Sequence, residues 1–515
     1  MKKNNSIKKR TIVGTFVLFM VFSCTDLTED TFGVVTTDTF FQNEEESFTG
    51  LVPVYASIRP LFTDASFLGV SEVTSDATIV PSRPGWGWED GGVWISLSEH
   101  SWTSQNVHLI SFFNQAYTSI ALANSFISNM EDSVVEFPTK SQLIAEARLL
   151  RAYSYMVLLD SWGNVPLVIE PLKDTDQPPS NEGATNRPIV AQFIVNELNE
   201  LANLLPDSQT GENYGRVSKY AAKMLLARMY LNSNVYFETG AFSASDLDKV
   251  ISLTTEVIDS GYYSLIDPYL GIFDIDNELD NSEAVFVARF DNVTGAGNSI
   301  NFISLNAHPS FEKIAPWGGF VVTADIVNSF DLNDERLGQI VVDSIFDENG
   351  DPFKTTNIIS GNLEPIVHDR NLVDPLRTGF FEGARLLKWP EDPNQVGSNG
   401  GNDFIVVRYT EAYTMRAEAF LRMGDESNAL NDINLVRARA FNPNEPMTSL
   451  NLESLLEELG REFVFEGHRR TDLIRFGKWT QPWQFKDNTD PTRSLYPIPQ
   501  PELDTNPNLT QNPGY

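Results

Sequence analysis

Residues 86–102, WGWEDGGVWISLSEHSW, place four tryptophans, Trp86, Trp88, Trp94 and Trp102, in one glycine-rich stretch. Such a stretch is a poor place to bury so much indole. A sugar ring presents a flat C–H face bordered by hydroxyls, and a protein grips it with an aromatic plane beneath and polar forks at the rim. Asp76, Arg83 and Asn106 supply such forks in the same region. Trp317, in APWGGF, adds an indole beside glycines that let a ligand come close. Any single tryptophan more often plugs a core. For the set, at least two are expected to face a ligand.

Signatures of catalysis are missing from the sequence. His100, His108, His308, His368 and His468 form neither HExxH nor another zinc spacing, and there is no GxSxG elbow, P-loop or GxGxxG. With 70 acidic residues a carboxylate pair suited to glycoside hydrolysis has many possible members, but no spacing nominates one. The Asp-rich turns 274–283 and 347–351 depart from the EF-hand pattern. They read as solvated turns, with a structural calcium ion as the lesser alternative. No other cofactor and no enzymatic activity are expected.

Thirty-seven basic residues stand against 70 acidic ones, a formal net charge of −33. Such a surface repels phosphate backbones, so nucleic acid is excluded as a partner. Cys24 is the sole cysteine of 515 residues, which rules out an intramolecular disulfide. Lys2, Lys3, Lys8, Lys9 and Arg10 precede it, followed by the apolar run 12–22 and the small Ser23. That order reads as a secretory signal over residues 1–23. Its apolar run is shorter than the roughly 20 residues that span a bilayer. Cleavage before Cys24 would expose the thiol where bacterial lipoproteins carry acyl chains, and would take the net charge to −38, since no acidic residue is lost. Lipid at Cys24 is then the expected membrane anchor.

The elements that would carry these residues are mostly helices. Residues 24–45 read as an acidic tether. Helical spacing predicts segments at 106–129, 140–160, 188–204, 216–234, 245–259, 403–423, 427–440 and 451–467. In 411–436, Ala417, Ala419 and Ala429 are small residues where two helices approach, with Gly424 closing one and Asp425 capping the next. The pair at 216–259 repeats the arrangement with Ala221, Ala222, Ala227 and Gly240. Both resemble the tetratricopeptide hairpin, which buries its face only by stacking. Long stretches at 60–105 and 261–402 are rich in Gly, Pro, Asn, Asp and aromatics, with a strand-like run at 284–290. Loops of that length in a folded chain are commonly functional. The layout is a mainly α-helical, tetratricopeptide-like scaffold bearing large loop-rich insertions. It divides into 46–260, holding the insertion 60–105, and 261–515, which is loop-rich to 402, helical over 403–479 and extended over 480–515. Glu462, Arg469, Arg470 and Asp472, with Arg475 and Lys478 beyond them, read as a structural ion-pair network on one helix.

Five segments carry a family resemblance: EARLLRAYSYMVLLDSWGNVPLV (146–168), GRVSKYAAKMLLARMYLN (215–232), FVVTADIVNSFDLNDERL (320–337), REFVFEGHRRTDLIRFGKW (461–479) and LYPIPQPELDTNPNLTQNPGY (495–515). In this order, from Cys24 to Tyr515, the chain resembles the RagB/SusD family of glycan-binding outer-membrane lipoproteins of Bacteroidota. The resemblance implies an α-helical superhelix with a variable, loop-rich glycan-binding face. It also implies a role as a cell-surface lid on a SusC-type TonB-dependent transporter, and TDLTED at 25–30 is similar to surface-export signals of the phylum. Asp76, Arg83, Trp102, Asn106 and Trp317 are similar in type and position to the binding site of the starch-binding member. The loops of 60–105 offer one arginine and no lysine, too little cation for a polyanion such as alginate. A neutral glucan is therefore expected, laminarin among the candidates. Two other readings stay open: a surface glycoside hydrolase or lyase, and a scaffold subunit of the transporter complex without glycan affinity.

Overall fold

Polar side chains that fold back onto the first turn start six of the twelve helices described below. The computed structural model describes residues 41–515 except 84–87, 89, 174, 184–185, 209, 276, 278–280, 294–296, 305–315, 347–348, 357–360 and 380. Asn43 caps α1 (Glu44–Ala56), which begins within the last residues of the expected tether. The stretch 60–105, expected as loop, contains α2 (Phe67–Val73) and α3 (Val93–Ser98). Asn106 caps α4 (Val107–Asp132), and α5 (Lys140–Trp162) ends at Gly163, whose φ of 70° suits glycine. Asn186 opens α6 (Arg187–Leu201) and Ser218 opens α7 (Lys219–Leu231), followed by α8 (Ala244–Ile258). After the long insertion come α9 (Thr410–Arg422), α10 (Glu426–Arg437), α11 (Leu452–Glu462) and α12 (Arg469–Arg475). Gly424, at φ 86°, turns the chain after α9, and Asp425 accepts from the Asn428 N–H at 3.1 Å to start α10.

The helices stack in sequence. α4 packs on α5, α5 on α6, α6 on α7 and α7 on α8, and the series continues from α8 to α9 and α10 across the insertion. This is the stacked-hairpin architecture expected from the small-residue pattern. No helix among the described residues is long and apolar enough to cross a membrane.

Two expected helices are shorter than their patterns. The segment 403–423 begins as a strand, Phe404–Arg408, which pairs antiparallel with the strand Ala284–Ala288. FIVVR has three β-branched residues at its centre and is buried at all five positions, an environment that favours the pleated form. The segment 451–467 stops at Glu462, because Phe465 and Gly467 take positive φ of 59° and 79°. Strand Thr78–Ile79 joins Val321–Val322, linking the two insertions. The tail 480–515 is less superficial than its proline content suggests. Tyr496 and Ile498 are fully buried, Trp162 donates to Pro497 O at 2.8 Å, and Asn512 donates to Trp162 O at 2.9 Å.

A dry ionic network ties the strand pair to α11. Arg408 bonds Glu466 at 2.7 Å and Glu462 at 3.0 Å; Arg439 reaches Glu462 at 2.7 Å and also Glu283; Arg336 reaches Glu458 at 2.8 Å and Glu462 at 3.0 Å. Arg469, Arg470, Asp472 and Arg475 share α12 as expected, whereas Glu462 closes α11, and apart from the Arg475–Asp472 pair the carboxylate partners come from other elements. Arg469 holds Asp76, Arg470 holds Asp160 at 2.6 Å, and Arg475 holds Glu418 at 2.8 Å. The first ties α12 to the 60–105 insertion, and the other two tie it to α5 and α9.

Candidate glycan-binding site

α3 and the start of α4 form the floor on which an aromatic surface is built. Trp94, on α3, is fully buried; it donates to Asp90 Oδ2 at 3.1 Å and lies 4.1 Å from the His108 ring. Burial lowers the His108 pKa, with the nearby Asp90 carboxylate opposing that shift. Trp88 is half-buried above Trp94 at 5.1 Å and meets Phe320 edge-on at 5.6 Å. Gly319 makes this possible, since a Cβ there would lie 2.3 Å from the Trp88 ring. Trp317 completes the surface, 6.0 Å from Trp88 and 5.0 Å from Phe302, and its backbone N–H donates to Phe302 O at 2.7 Å. Its residue exposure is 44%, high for an indole.

Arg83 sits directly behind this surface. One terminal nitrogen donates to the carbonyl of Gly318, the residue after Trp317, while Nε and Nη2 are buried without a hydrogen-bond partner among the described residues. Burial draws its pKa down to about 10. Arg385 lies close enough for the two cations to repel each other, but its Nη1 is held by the carbonyls of Glu382 and Gly383 at 2.9 and 2.6 Å.

The structure therefore brings together Trp88, Trp317 and Arg83, and separates the other candidates from them. Trp102 is 2% exposed: its Nε1 donates to the Tyr515 hydroxyl at 2.6 Å and its ring meets Tyr496 edge-on. Asn106 is the cap of α4, accepting from the N–H groups of His108 and Leu109 at 3.1 and 3.2 Å. Asp76 takes a bidentate grip from Arg469 at 2.7 and 2.8 Å. These three are corrections to the sequence reading, because each side chain is already committed to a structural partner. Trp86 and Cys24 lie outside the described residues, as do parts of the Asp-rich turns 274–283 and 347–351. Among the described residues no group of three or more His, Cys, Asp or Glu is placed to hold a metal.

Trp102→Ala is accordingly expected to lower the unfolding free energy by about 3–5 kcal/mol, the usual cost of truncating a buried aromatic. Urea unfolding checks this, and the folded variant should bind glycan like wild type. A loss of binding at unchanged stability would return Trp102 to the site.

Sequence reasoning missed Phe302 and Phe320. Phe302 stands in NSINFIS, which has no periodicity to mark a facing side, and its role depends on contact with Trp317. The sequence neighbourhood of Phe320, WGGF, does carry a signal: the paired glycines announce a close approach of ring and backbone.

Comparison with known proteins bears on the whole chain. A profile described as the SusD family matches residues 282–515, and one described as starch-binding, associating with the outer membrane, matches 73–231. The starch-binding protein SusD of Bacteroides thetaiotaomicron is 28% identical over 84% of this chain and 83% of its own. A SusD-like protein of Formosa agariphila is 24% identical over 98% and 99%. Among solved structures, a laminarin-binding SusD-like protein superposes with a TM-score of 0.73 at 23% identity, covering 92% of this chain and 100% of its own. Surface glycan-binding protein A from Bacteroides thetaiotaomicron, in complex with laminarihexaose, gives 0.71 at 20% identity, covering 91% and 99%. The chain belongs to the RagB/SusD family.

Proposed function

We propose that this protein is anchored by lipid at Cys24 to the outer membrane, faces the cell exterior, captures a neutral oligo- or polysaccharide, and passes it to a SusC-like TonB-dependent transporter without cleaving it. The observation that carries the reading is the Trp317 indole, held open to solvent by Phe302 and Trp88 with the Arg83 guanidinium behind it. A flat apolar face open to solvent matches the C–H face of a sugar ring. The relatives' names add support, since they describe binders of starch, laminarin and laminarihexaose and none describes an enzyme. Outer-membrane association in one matching profile agrees with a lipid anchor and a transporter partner. The preference for a neutral ligand rests on cation supply: Arg83 and Arg385 are both buried and both donate to backbone carbonyls.

Native electrophoresis in gels containing laminarin, soluble starch or alginate tests this. Retardation by a neutral glucan and free migration in alginate are expected. Retardation in alginate alone would overturn the neutral preference, and release of reducing ends from any of the three would overturn the non-catalytic reading.

A further inference from the structure

Two other cavities do not suit a sugar. One of about 90 Å³ among Arg228, Glu411 and Asp160 lies within the scaffold, and an apolar groove of about 440 Å³ beside Pro166 and Leu172 shows nothing of what covers it. A third is different in kind. It has a volume of about 310 Å³ and lies between the 208–218 segment, the turn after α8 and the strand Ala284–Ala288. That volume is at the small end of ligand pockets, enough for a short saccharide segment and too little for a folded partner.

Its walls are tyrosines set by glycines. Gly261, at φ 75°, turns the chain after α8 and delivers Tyr262 and Tyr263. Tyr262 is 49% exposed and its ring lies 5.7 Å from Tyr220. Tyr263 stacks on Tyr409 at 5.9 Å, with its hydroxyl 3.5 Å from that of Ser218. Opposite, Tyr214 lies under the Arg289 guanidinium at 5.4 Å. Arg289 crosses the backbone at Gly215, where φ is 84° and a Cβ would lie 2.4 Å from Arg289 Cδ. Asn281 and Ser282 complete the lining with polar groups already engaged: Asn281 Nδ2 donates to Ile272 O at 3.0 Å, and Ser282 Oγ donates to Ser264 O at 2.9 Å. The neighbouring cations have anionic partners: Arg216 bonds Glu146 at 2.5 Å, and Arg289 lies 4.0 Å from Asp403. Aromatic faces and balanced charge describe a site for an uncharged sugar.

We propose that this cleft is a second carbohydrate-binding site, taking a short segment of a neutral glycan independently of the Trp88–Trp317 surface. The cleft shares no residue with that surface. A chain with two contact points binds a long polysaccharide more tightly than either site alone, by raising the local concentration at the second.

The test compares wild type, Tyr262→Ala, Tyr214→Ala/Tyr262→Ala and Trp317→Ala in native gels containing laminarin, soluble starch or galactomannan. In a gel that retards wild type, both tyrosine variants should lose at least threefold in apparent affinity. Trp317→Ala should keep a residual retardation that adding Tyr262→Ala abolishes. Thermal melting guards against misfolding, and the exposed Tyr262 is the variant expected to melt as wild type. Tyr262→Ala retarded like wild type in every such gel overturns the second site alone, including the case in which the cleft takes an extended peptide. Full loss in Trp317→Ala by itself also overturns it. A wild type unretarded in all three gels counts against both sites.

Discussion

Replacing Trp317 by alanine should weaken glycan binding about 30-fold while leaving the melting temperature within a degree or two of wild type. A sugar face covering roughly 80 Å² of indole contributes about 2 kcal/mol at ~25 cal/mol per Å², and about 1.4 kcal/mol corresponds to tenfold in affinity. Fold stability is spared because Trp317 is substantially exposed and rests on Phe302 and Trp88 without sealing the core. Trp317→Phe should recover part of the loss, since a smaller ring still stacks. Trp88→Ala should weaken binding too, but with a drop in stability, because Trp88 covers Trp94 and Phe320. Calorimetry with the glucan that retards wild type, alongside thermal melting, reads both quantities. Unchanged affinity in Trp317→Ala would remove the aromatic surface from the binding reading and leave the family assignment standing.

The second large effect concerns stability. Arg408→Met should lower the unfolding free energy by about 3–5 kcal/mol, the cost of removing one partner from a buried ion pair. Arg408 is fully buried and serves Glu466 and Glu462 at once, so its loss leaves two buried carboxylates short of a cation. Removing a carboxylate as well should return part of the loss, so the double variant Arg408→Met/Glu466→Gln should be less destabilised than the two single effects combined. Simple additivity in urea unfolding would show that the contacts carry no coupling. The same network predicts an acid response. Arg336, Arg461 and Arg437 oppose the desolvation of Glu458 and hold it at about 2, and Arg439, Arg408 and Arg336 keep Glu462 lower still. A depressed carboxylate contributes stability above its unfolded value near 4.5, and that contribution is lost as pH falls through the folded value. Wild-type stability should therefore decline from about pH 4.5 downward. Glu72, which burial raises to about 8, acts in the opposite sense and in a higher window, between about 4.5 and 8.

The scaffold was legible because its signals are local. Gly424 and Asp425 mark a helix end and the next start within two residues, and the alanines of 411–436 report close packing from composition alone. FIVVR was misread because a short apolar run fits a buried strand and a buried helix alike, and its partner strand lies more than a hundred residues upstream. The binding residues were legible in type but not in place. Trp102 and Trp317 are the same residue, yet one is buried against the last residue of the chain, 413 positions away, and the other stands in solvent. Asn106 did carry a readable sign, because it stands at the start of the predicted helix, where asparagine serves as a cap.

The helical stack is interrupted between α8 and α9 by the whole of 261–402, and this has a bearing on how the chain reaches its native state. The first half ends in a helix whose neighbour is still more than a hundred residues from being made, so an apolar flank stays uncovered during synthesis. Closing the gap joins distant parts of the chain late, with the strand pair 284–288 and 404–408 completing at about the same moment. A polypeptide truncated near 260 is thus a poor candidate for independent folding and a ready one for self-association. The export proposed above would benefit from such a delay, since it keeps the leading portion threadable until the remainder arrives.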